Sequence, residues 1–554
     1  MNYNRSGEIL TLQFGHYSNY VGTHWWNIQE KTFQYSGSEG PQEIDHDVLY
    51  REGVNQKGQI TFTPRLLAVD LKGSLRALSE SSEVYEEIPD CSKVEVRWDP
   101  DKVEIKKSER VNKNKFQQDL DDQSGLCGKS HYNLETDVKV WSDFLYARFH
   151  PRTINIIKEY QHQNDSPFNT FPLGQELWKT EQFEEEFADK IRSYMEESDY
   201  FQGFQIILDA VDGFAGLSTS CIEYLQDEYR RSVLAFPTIP SFYSDYNFKT
   251  ETERHQSLIK DSNRVLNIAF CFNALQENSS LFVPLCTGEK GWRQPGKMRN
   301  FSHCKYVPEL YYHSAAILAS ALDTASLRYR LKSGVYTLQD LCSDLSSNRR
   351  TAAAGSLCLP FSLNSDDELI SCLDNWIGPL TQTITPNCTL GTEHMVQLYS
   401  LRGISEERLK KPLSKAGRQK SLPAYKCETI KDMLSFYLEC TTTTSINNVT
   451  VIEKGLPVGL PYPKLFDELV QQNGNIGSIP RYSTEEVNTI PVLAGLHNGA
   501  GVGDMLESLH VEMKKLKFGK FHQFKVAGLE VDDFVECLDS LFEFRERYED
   551  NYYL

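Results

Sequence analysis

Long apolar runs are missing from this sequence. A helix that spans a bilayer needs about 20 consecutive apolar residues, and no stretch of the 554-residue chain approaches that length. The first residues, M-N-Y-N-R, also lack the apolar core of a secretory signal peptide. We therefore expect a cytoplasmic protein without a transmembrane segment, whose contacts with membranes are peripheral or made through partners.

Cysteine pairs at metal-binding spacing are missing as well. The 13 cysteines lie scattered between Cys91 and Cys537, with no C-x-x-C pair and no cysteine–histidine cluster at zinc-finger spacing. Scattered cysteines in odd number are typical of reduced thiols in the cytosol. The sequence thus predicts no metal site.

Positive charge is scarce. The chain has 58 lysine and arginine residues against 77 aspartate and glutamate residues, which gives a formal net charge of -19. Proteins that bind nucleic acids neutralise phosphates with basic residues, so a nucleic acid is not expected as the main partner. Hydrolase motifs such as H-E-x-x-H and G-x-S-x-G are absent too, and we expect no independent hydrolase chemistry.

Short strands and helices alternate through the first 335 residues. Buried strands are predicted from apolar runs at 9–14, 66–69, 204–208 and 232–236. Helices are predicted at 19–28, 218–229, 265–275 and 315–329. Strand–helix–strand order indicates a parallel sheet flanked by helices, and such sheets bind ligands at the carboxyl ends of their strands.

The pattern divides the chain into four parts. Residues 1–83 and 139–335 form the core, and the charged stretch 84–138 is predicted to be a flexible insertion because it has few apolar groups. Residues 336–554 form a smaller α+β region with a terminal helix. A basic loop at 402–425, which we interpret as a solvated loop, interrupts this region and carries Arg408, Lys410, Lys411, Lys415, Arg418 and Lys420.

Four short motifs carry a resemblance to tubulins. Residues 12–26 (L-Q-F-G-H-Y-S-N-Y-V-G-T-H-W-W) are similar to the first nucleotide loop and helix of tubulins, and 63–71 (T-P-R-L-L-A-V-D-L) to the second loop. Residues 201–206 (F-Q-G-F-Q-I) resemble the strand before the phosphate loop, and 323–329 (D-T-A-S-L-R-Y) the later T-A-S-L-R-F segment. The resemblance implies an α/β, tubulin/FtsZ-like fold. Its N-terminal domain is a doubly wound parallel sheet, followed by a smaller α+β domain and C-terminal helices.

Further motifs stand at 22–27 (G-T-H-W-W-N), 141–145 (W-S-D-F-L), 150–152 (H-P-R) and 212–216 (D-G-F-A-G). They resemble one branch of this superfamily, the Misato family. This resemblance implies a role in mitochondrial distribution and morphology and in spindle microtubule assembly. It also implies tubulin or the cytosolic chaperonin as partners, and peripheral association with the mitochondrial outer membrane.

By the same resemblance, seven residues line a vestigial pocket for a guanine nucleotide. Two tubulin-type loops and the phosphate loop supply them: Gly15, His16, Asn19, Gly22, Asp70, Gly213 and Gly216. Four of them also have a structural interpretation, because Gly15, Asn19 and Gly22 can form turns and Asp70, which follows a strand, can cap a helix. Both interpretations stay open at this point.

Several residues depart from the tubulin pattern. Counted without gaps, residues 211–217 (V-D-G-F-A-G-L) stand where tubulins have G-G-G-T-G-S-G, and a shift by one residue is the alternative register. The charge of Asp212 repels phosphates. His16 replaces a glutamine on the phosphate and magnesium side, and Tyr17 a cysteine near the base. Lys72, which stands at the position of an acidic residue, cannot ligate Mg²⁺.

The tubulin loop that positions the attacking water, N-x-D-x-x-E, is also changed. One register places Gly334, Tyr336 and Gln339 at its three polar positions, and the other places Val335, Thr337 and Asp340 there. We therefore expect a non-enzymatic protein with a degenerate site to which GTP binds weakly or not at all. The alternatives are an active, polymer-forming GTPase and a membrane-surface adaptor that uses the basic loop.

Overall fold

The computed structural model describes residues 7–33, 42–54, 58, 60–76, 111–121, 132–162, 168–243, 250–293, 296–332, 336–365, 367–409, 422–482 and 485–549. The strands in these ranges are β1 (Ile9–Phe14), β2 (Tyr50–Val54), β3 (Ile60–Pro64), β4 (Leu66–Lys72), β5 (Ile154–Gln161), β6 (Gly203–Asp209), β7 (Ser232–Thr238), β8 (Leu281–Phe282), β9 (Ala354–Cys358), β10 (Gln382–Thr383), β11 (Glu393–Arg402), β12 (Thr443–Ile452), β13 (Leu456–Pro457), β14 (Thr489–Ile490) and β15 (Val492–Asn498).

The helices in the same ranges are α1 (His16–Thr32), α2 (Lys115–Asp121), α3 (Leu134–Asp137), α4 (Phe171–Trp178), α5 (Ala188–Glu196), α6 (Gly213–Tyr229), α7 (Glu251–Asn278), α8 (Tyr311–Ala325), α9 (Leu338–Leu345), α10 (Leu369–Asp374), α11 (Ile430–Thr441), α12 (Ala500–Lys514), α13 (His522–Val526) and α14 (Val531–Glu546). A π-helical turn at Gln182–Phe187 leads into α5. Within the described ranges, no helix combines the length and the apolar character needed to cross a bilayer.

The N-terminal sheet is parallel. Among the described residues it has six strands, in the order β5-β4-β1-β6-β7-β8. Leu12 of β1 pairs with Leu67 of β4 on one side and with Ile206 of β6 on the other. The strand order therefore runs outward in both directions from β1 and β6, which is the doubly wound arrangement. In such sheets the ligand crevice lies at the carboxyl ends of the two central strands.

Helices cover both faces of this sheet, as the sequence predicts. Leu10, Leu12 and Phe14 of β1 pack in a core with residues of α4, α6 and α7. Ile9, on the opposite face, packs in a second core with residues of α1 and α8. Because both faces are buried, the central strands are continuous apolar runs.

A mixed sheet forms the C-terminal region. Five strands of the described residues are ordered β10-β9-β15-β11-β12; β11 and β12 are parallel, and β15 is antiparallel to β9 and β11. Helices α12 and α14 contact α7, so the end of the chain packs back on the N-terminal domain. Phe534, Leu541 and Phe544 of α14 are buried there. The predicted α+β region and core-facing terminal helix are therefore confirmed.

A buried ion cluster joins the two regions. Asp323 of α8 is 1% exposed. Its carboxylate forms ion pairs with Nη2 of Arg330 at 3.0 Å and with Nη1 of Arg402. Gln29 of α1 donates to the same carboxylate. Arg402 is the last residue of β11 and is fully buried, so the predicted start of the basic loop at residue 402 is wrong. Residues 410–421 of that loop lie outside the described residues.

Helix α2 corrects the predicted insertion. Phe116 is only 1% exposed, and its neighbour Gln117 donates through Nε2 to the carbonyl oxygen of Ser142 at 3.0 Å. Residues 115–121 are thus an ordered helix packed on the core, and for them the prediction of a flexible insertion is wrong. Phe116 and Leu120 are the only apolar residues of α2, and one such pair in a charged stretch is too short a pattern to indicate a helix, which is why sequence reasoning missed it. Residues 77–110 and 122–131 lie outside the described residues.

Candidate functional site

The site suggested by the sequence lies where β1 and β6 end. Strand β1 ends at Phe14, and α1 begins two residues later. The residue between them, Gly15, has a φ of 115°, and a Cβ added to it would lie 2.4 Å from Oδ2 of Asp209. Only glycine suits this turn, both for its backbone conformation and for the space available.

A carboxylate from a distant strand caps α1. Asp209, the last residue of β6, accepts hydrogen bonds from the backbone N–H of Tyr17 at 2.9 Å and of Ser18 at 2.7 Å. The hydroxyl of Thr238 donates to it at 2.9 Å. The free amides of a helix N-terminus are a natural binding site for phosphate. Here two of those amides are already bonded to an acidic side chain of the chain itself.

Asp209 carries out this capping without a strong cation beside it. Among the described residues, no lysine or arginine lies within ion-pair distance of its carboxylate. Burial raises the pKa of Asp209 to about 7, although the hydrogen bonds from Tyr17, Thr238 and Ser18 act in the opposite direction. The capping group therefore changes its protonation near neutral pH.

A second carboxyl group caps the next helix of the site. Helix α6 begins at Gly213, five residues before the predicted start, and Oδ1 of Asp212 accepts from the N–H of Phe214 at 2.9 Å. Burial raises the pKa of Asp212 well above its usual value, and the charge of Asp209 adds to this effect. Both helix N-termini at the carboxyl edge of the sheet are thus closed by acidic side chains.

The two predicted phosphate-loop glycines lie inside α6 and permit close helix packing. A Cβ on Gly213 would be 2.8 Å from the Phe168 ring, and a Cβ on Gly216 would be 1.9 Å from the carbonyl oxygen of Phe171. A Cβ on Gly174 of α4 would be 1.9 Å from the Gly213 oxygen. Helices α4 and α6 cross in contact at these positions, which accounts for the glycines without any ligand.

An aromatic segment covers the start of α6. The carbonyl oxygen of Phe168 accepts from the N–H of Gly213 at 3.1 Å, and the Phe168 ring lies edge-on to that of Phe214, with the centroids 5.1 Å apart. Asn267 of α7 fixes this segment, accepting from the N–H of Phe171 at 2.8 Å and donating to the Val211 oxygen at 2.8 Å. Phenyl rings and carbonyl oxygens do not attract phosphates, so the surroundings of α6 do not fit a polyphosphate.

Asp70, the predicted metal-side carboxylate, is bonded within the protein. It accepts from Nε1 of Trp141 at 2.7 Å and from the N–H of Leu71 at 2.7 Å. Nδ1 of His16 lies at 3.2 Å and Nδ2 of Asn19 at 3.3 Å. Burial acts to raise the pKa of Asp70, but His16 and the hydrogen bonds outweigh it, and the pKa is lowered. In the described part of the chain, no group of three or more histidine, cysteine or acidic side chains is placed to hold a metal ion.

His16 and Gly22 take different places around this cluster. The His16 ring lies 4.0 Å from that of His162, and burial, with a smaller effect of His16, lowers the pKa of His162 to about 4. Gly22 lies farther along α1, where a Cβ would be 2.1 Å from Nε2 of Gln13. Gly22 therefore lets α1 pack closely on β1.

The structure brings part of the predicted set together. Gly15, His16, Asn19 and Asp70 form one hydrogen-bonded group at the ends of β1 and β4, while Gly22, Gly213 and Gly216 occupy helix-packing positions. Sequence reasoning missed four residues of the site, which are Asp209, Trp141, His162 and Asn267. Asp209 carried a usable signal, because it directly follows a predicted buried strand, where ligands of such sheets lie.

Asp340, the one carboxylate of the predicted water-positioning segment, caps a helix. Its Oδ2 accepts from the N–H of Thr337 at 2.8 Å, and Oγ1 of Thr337 accepts from the N–H of Asp340 at 3.2 Å. This reciprocal pair is a capping box at the start of α9. It explains an aspartate here without catalysis. Gly334 and Val335 lie outside the described residues.

The sheet order and the helix N-termini beside β1 and β6 define a tubulin-like α/β protein. A comparison with protein families supports this class, because a family model described as "Tubulin domain" matches residues 132–331. A second model, "Misato Segment II tubulin-like domain", matches residues 7–122.

Full-length relatives specify the family. "Protein misato" of Drosophila melanogaster is 35% identical over an alignment of 586 residues, which covers 100% of each chain. "Protein misato homolog 1" of Homo sapiens is 32% identical over 575 residues, and that of Mus musculus 32% over 563, each covering 98% of both chains. The chain belongs to the Misato family.

Proposed function

We propose that this chain is a non-enzymatic, tubulin-like protein whose nucleotide site has become a self-capped part of the core. The observation that carries the proposal is the Asp209 carboxylate bonded to the first-turn amides of α1. A phosphate would have to displace this carboxylate, and it would then lie beside two acidic groups, Asp209 and Asp212. Burial already disfavours negative charge at both of these groups, and a phosphate would bring further negative charge into the same poorly solvated site.

We further propose that the protein acts in mitochondrial distribution and morphology and in spindle microtubule assembly. Its membership of the Misato family and its tubulin-like domain support this role. Tubulin or the cytosolic chaperonin is the proposed partner, because tubulin has the same fold and the chaperonin assists the folding of tubulin. The proposed location is the cytoplasm, with peripheral association to the mitochondrial outer membrane.

The competing function is that of a GTP-binding and GTP-hydrolysing polymer former. The group formed by Gly15, Asn19 and Asp70 favours it, since these residues keep the tubulin pattern at the start of α1. Catalysis of phosphoryl transfer depends on preorganised charge and on a positioned water. The carboxylates at both helix N-termini and the capping role of Asp340 argue against each of these contributions.

A nucleotide assay separates the two functions. The purified full-length protein is denatured and its released nucleotides are separated, and phosphate release from GTP is followed over a range of protein concentrations. We expect guanine nucleotide far below one per chain and no phosphate release above buffer. Release that rises with protein concentration and is lost in Asp340→Ala, but kept in the exposed control Asp532→Ala, would establish the GTPase instead.

A cellular experiment tests the proposed role. The endogenous protein is depleted, and the chain is re-expressed as wild type or as Asp323→Ala, which is expected to be strongly destabilised. Wild type should restore mitochondrial distribution and spindle microtubule density, and alkaline carbonate should release it from mitochondria. Normal mitochondria and spindles after depletion would contradict the role, and retention in the carbonate pellet would contradict peripheral association.

A further inference from the structure

An open groove lies on the surface between α4, α6 and the segment that precedes α14. Its volume is about 480 Å³, and residues 527–529 close its third side. The close crossing at Gly174, Gly213 and Gly216 brings the helices together near the start of α6. The groove lies farther along α6, around Tyr224, which is about 16 Å from Gly213 at 1.5 Å per residue. It is therefore separate from the capped site.

Aromatic rings and carboxylates line this groove. Trp178 of α4 and Tyr224 of α6 are both partly exposed, with ring centroids 5.6 Å apart. Glu223, Asp227 and Glu228 stand beside them with exposed side chains. Aromatic faces attract cations, and carboxylates beside them add a Coulomb attraction for the same positive charge.

The negative charge of the groove is not compensated by the cations around it. Lys179 is paired with Glu176 at 2.7 Å, and Arg192, which lies beside Tyr224, is paired with Asp189 at 2.6 Å. Among the residues that the structure describes, no cation lies within ion-pair distance of the remaining three carboxylates of the groove. The three carboxylates therefore present uncompensated negative charge to the groove, which a positively charged partner would complement.

We propose that this groove docks a lysine- or arginine-bearing segment of a partner protein. The volume suits one or two long side chains rather than a single ion, and the aromatic rings suit the aliphatic stems as well as the charged ends of these side chains. The open shape admits a continuous peptide. This binding site goes beyond the proposed function and does not depend on it, since nucleotide binding and the groove use different parts of α6.

Fluorescence anisotropy tests the proposal with the full-length protein. The probe is a short labelled peptide of alternating lysine and leucine, and a glutamate–leucine peptide is the control. We expect the lysine peptide to bind and the glutamate peptide not to bind. A variant carrying Glu223→Gln, Asp227→Asn and Glu228→Gln should weaken binding about tenfold or more, because close charges at an interface contribute strongly.

Two further comparisons distinguish docking from general attraction to an acidic protein. Glu407→Gln, Glu428→Gln and Glu439→Gln remove the same charge from exposed positions of the C-terminal region, on and beside α11, and should weaken binding less than about twofold, because distant charges are screened. Tyr224→Leu should weaken binding about threefold, and Tyr224→Phe should not. Equal losses in the two triple variants, or equal binding of the two peptides, would overturn the proposal.

Discussion

Asp209 and Asp323 are both buried carboxylates, and each joins parts of the chain that are far apart in sequence. Asp323 lies between two arginines, Arg330 and Arg402, at the junction of the two regions. Asp209 instead has two backbone amides and a hydroxyl as partners. Fixed cations and neutral donors satisfy a carboxylate in different ways, because only the cations balance its charge.

This difference in partners determines how the stability of the protein responds when each carboxylate is mutated or the pH is changed. Removing Asp323 leaves two buried guanidinium groups without a counterion, whereas removing Asp209 leaves neutral amides without an acceptor. The first loss is the more costly one. Burial raises the pKa of Asp209 into the neutral range, so we expect a change of pH to act on Asp209 at the end of the parallel sheet.

The largest expected effect is that of Asp323→Ala. Breaking a buried ion cluster by removing one partner costs about 3–5 kcal/mol, so we expect a drop of that size in the free energy of unfolding, measured by urea denaturation. Asp532→Ala, an exposed control on α14, should change it by less than about 0.5 kcal/mol. A loss at Asp323 as small as that of the control would show that the two buried centres do not differ as described.

The second prediction concerns pH. The pKa of Asp209 rises from 3.8 in the unfolded chain to about 7 in the fold, so between these values the folded state binds more protons than the unfolded state. Its contribution to stability is therefore present at low pH and is lost as the pH rises to about 7. Each unit of pKa is worth about 1.4 kcal/mol, and we expect a fall of about 2–4 kcal/mol.

The matched variant for this effect is Asp209→Asn, whose amide side chain has no proton to lose in this range. The difference in unfolding free energy between wild type and Asp209→Asn should fall by the same amount between about pH 4 and about pH 8. The same pair of measurements on Asp323→Asn serves as the reference, because two arginines bind the carboxylate of Asp323. A pH-independent difference for Asp209→Asn would mean that the wild-type carboxylate stays charged, as it would beside a cation.

The third prediction tests whether the glycines near Asp209 serve packing. In Gly216→Ala the new Cβ would lie 1.9 Å from the Phe171 oxygen, and overpacking of this kind costs about 1–3 kcal/mol. Gly391→Ala is the matched control, because its nearest neighbouring atom lies at 3.9 Å. Thermal unfolding measures both. Equal midpoints would mean that α4 and α6 do not cross closely.

The smallest effect is expected at Asp340. Asp340→Ala removes one side of the capping box with Thr337 and should destabilise the fold by about 1 kcal/mol, measured by urea denaturation. Asp340→Asn, which keeps an acceptor for the Thr337 N–H, should lose less. A loss of unfolding free energy as large as that of Asp323→Ala would mean that Asp340 does more than cap α9.

The sequence predicts the central strands well and the start of α6 poorly. Apolar runs place β1, β6 and β7 within one or two residues of their observed ends, because buried parallel strands need continuous apolar sequence. Helix α6 starts at Gly213 although glycine disfavours helices. Its crossing with α4 requires glycine there, and that requirement comes from a tertiary contact that local propensity does not contain.

Within the site, local chemistry was predictable and long-range pairing was not. Gly15 and Asp70 belong to recognisable motifs beside strands, and the structure joins them through Asn19. The partner of α1, Asp209, is separated from Tyr17 by 192 residues. One sequence does not specify which distant acid will meet which helix, and an aspartate after a strand fits several roles.

The distance between Asp209 and α1 has a consequence for the order of events during synthesis. The ribosome adds about 5–20 residues per second, so the 192 residues between Tyr17 and Asp209 take tens of seconds to make. During that time β1 lacks its neighbour β6, and α1 lacks the acceptor for its first amides. The two tryptophans of α1, Trp25 and Trp26, are buried only in the finished fold. The newly synthesised N-terminal segment therefore exposes apolar surface until β6 has been made and can pair with β1.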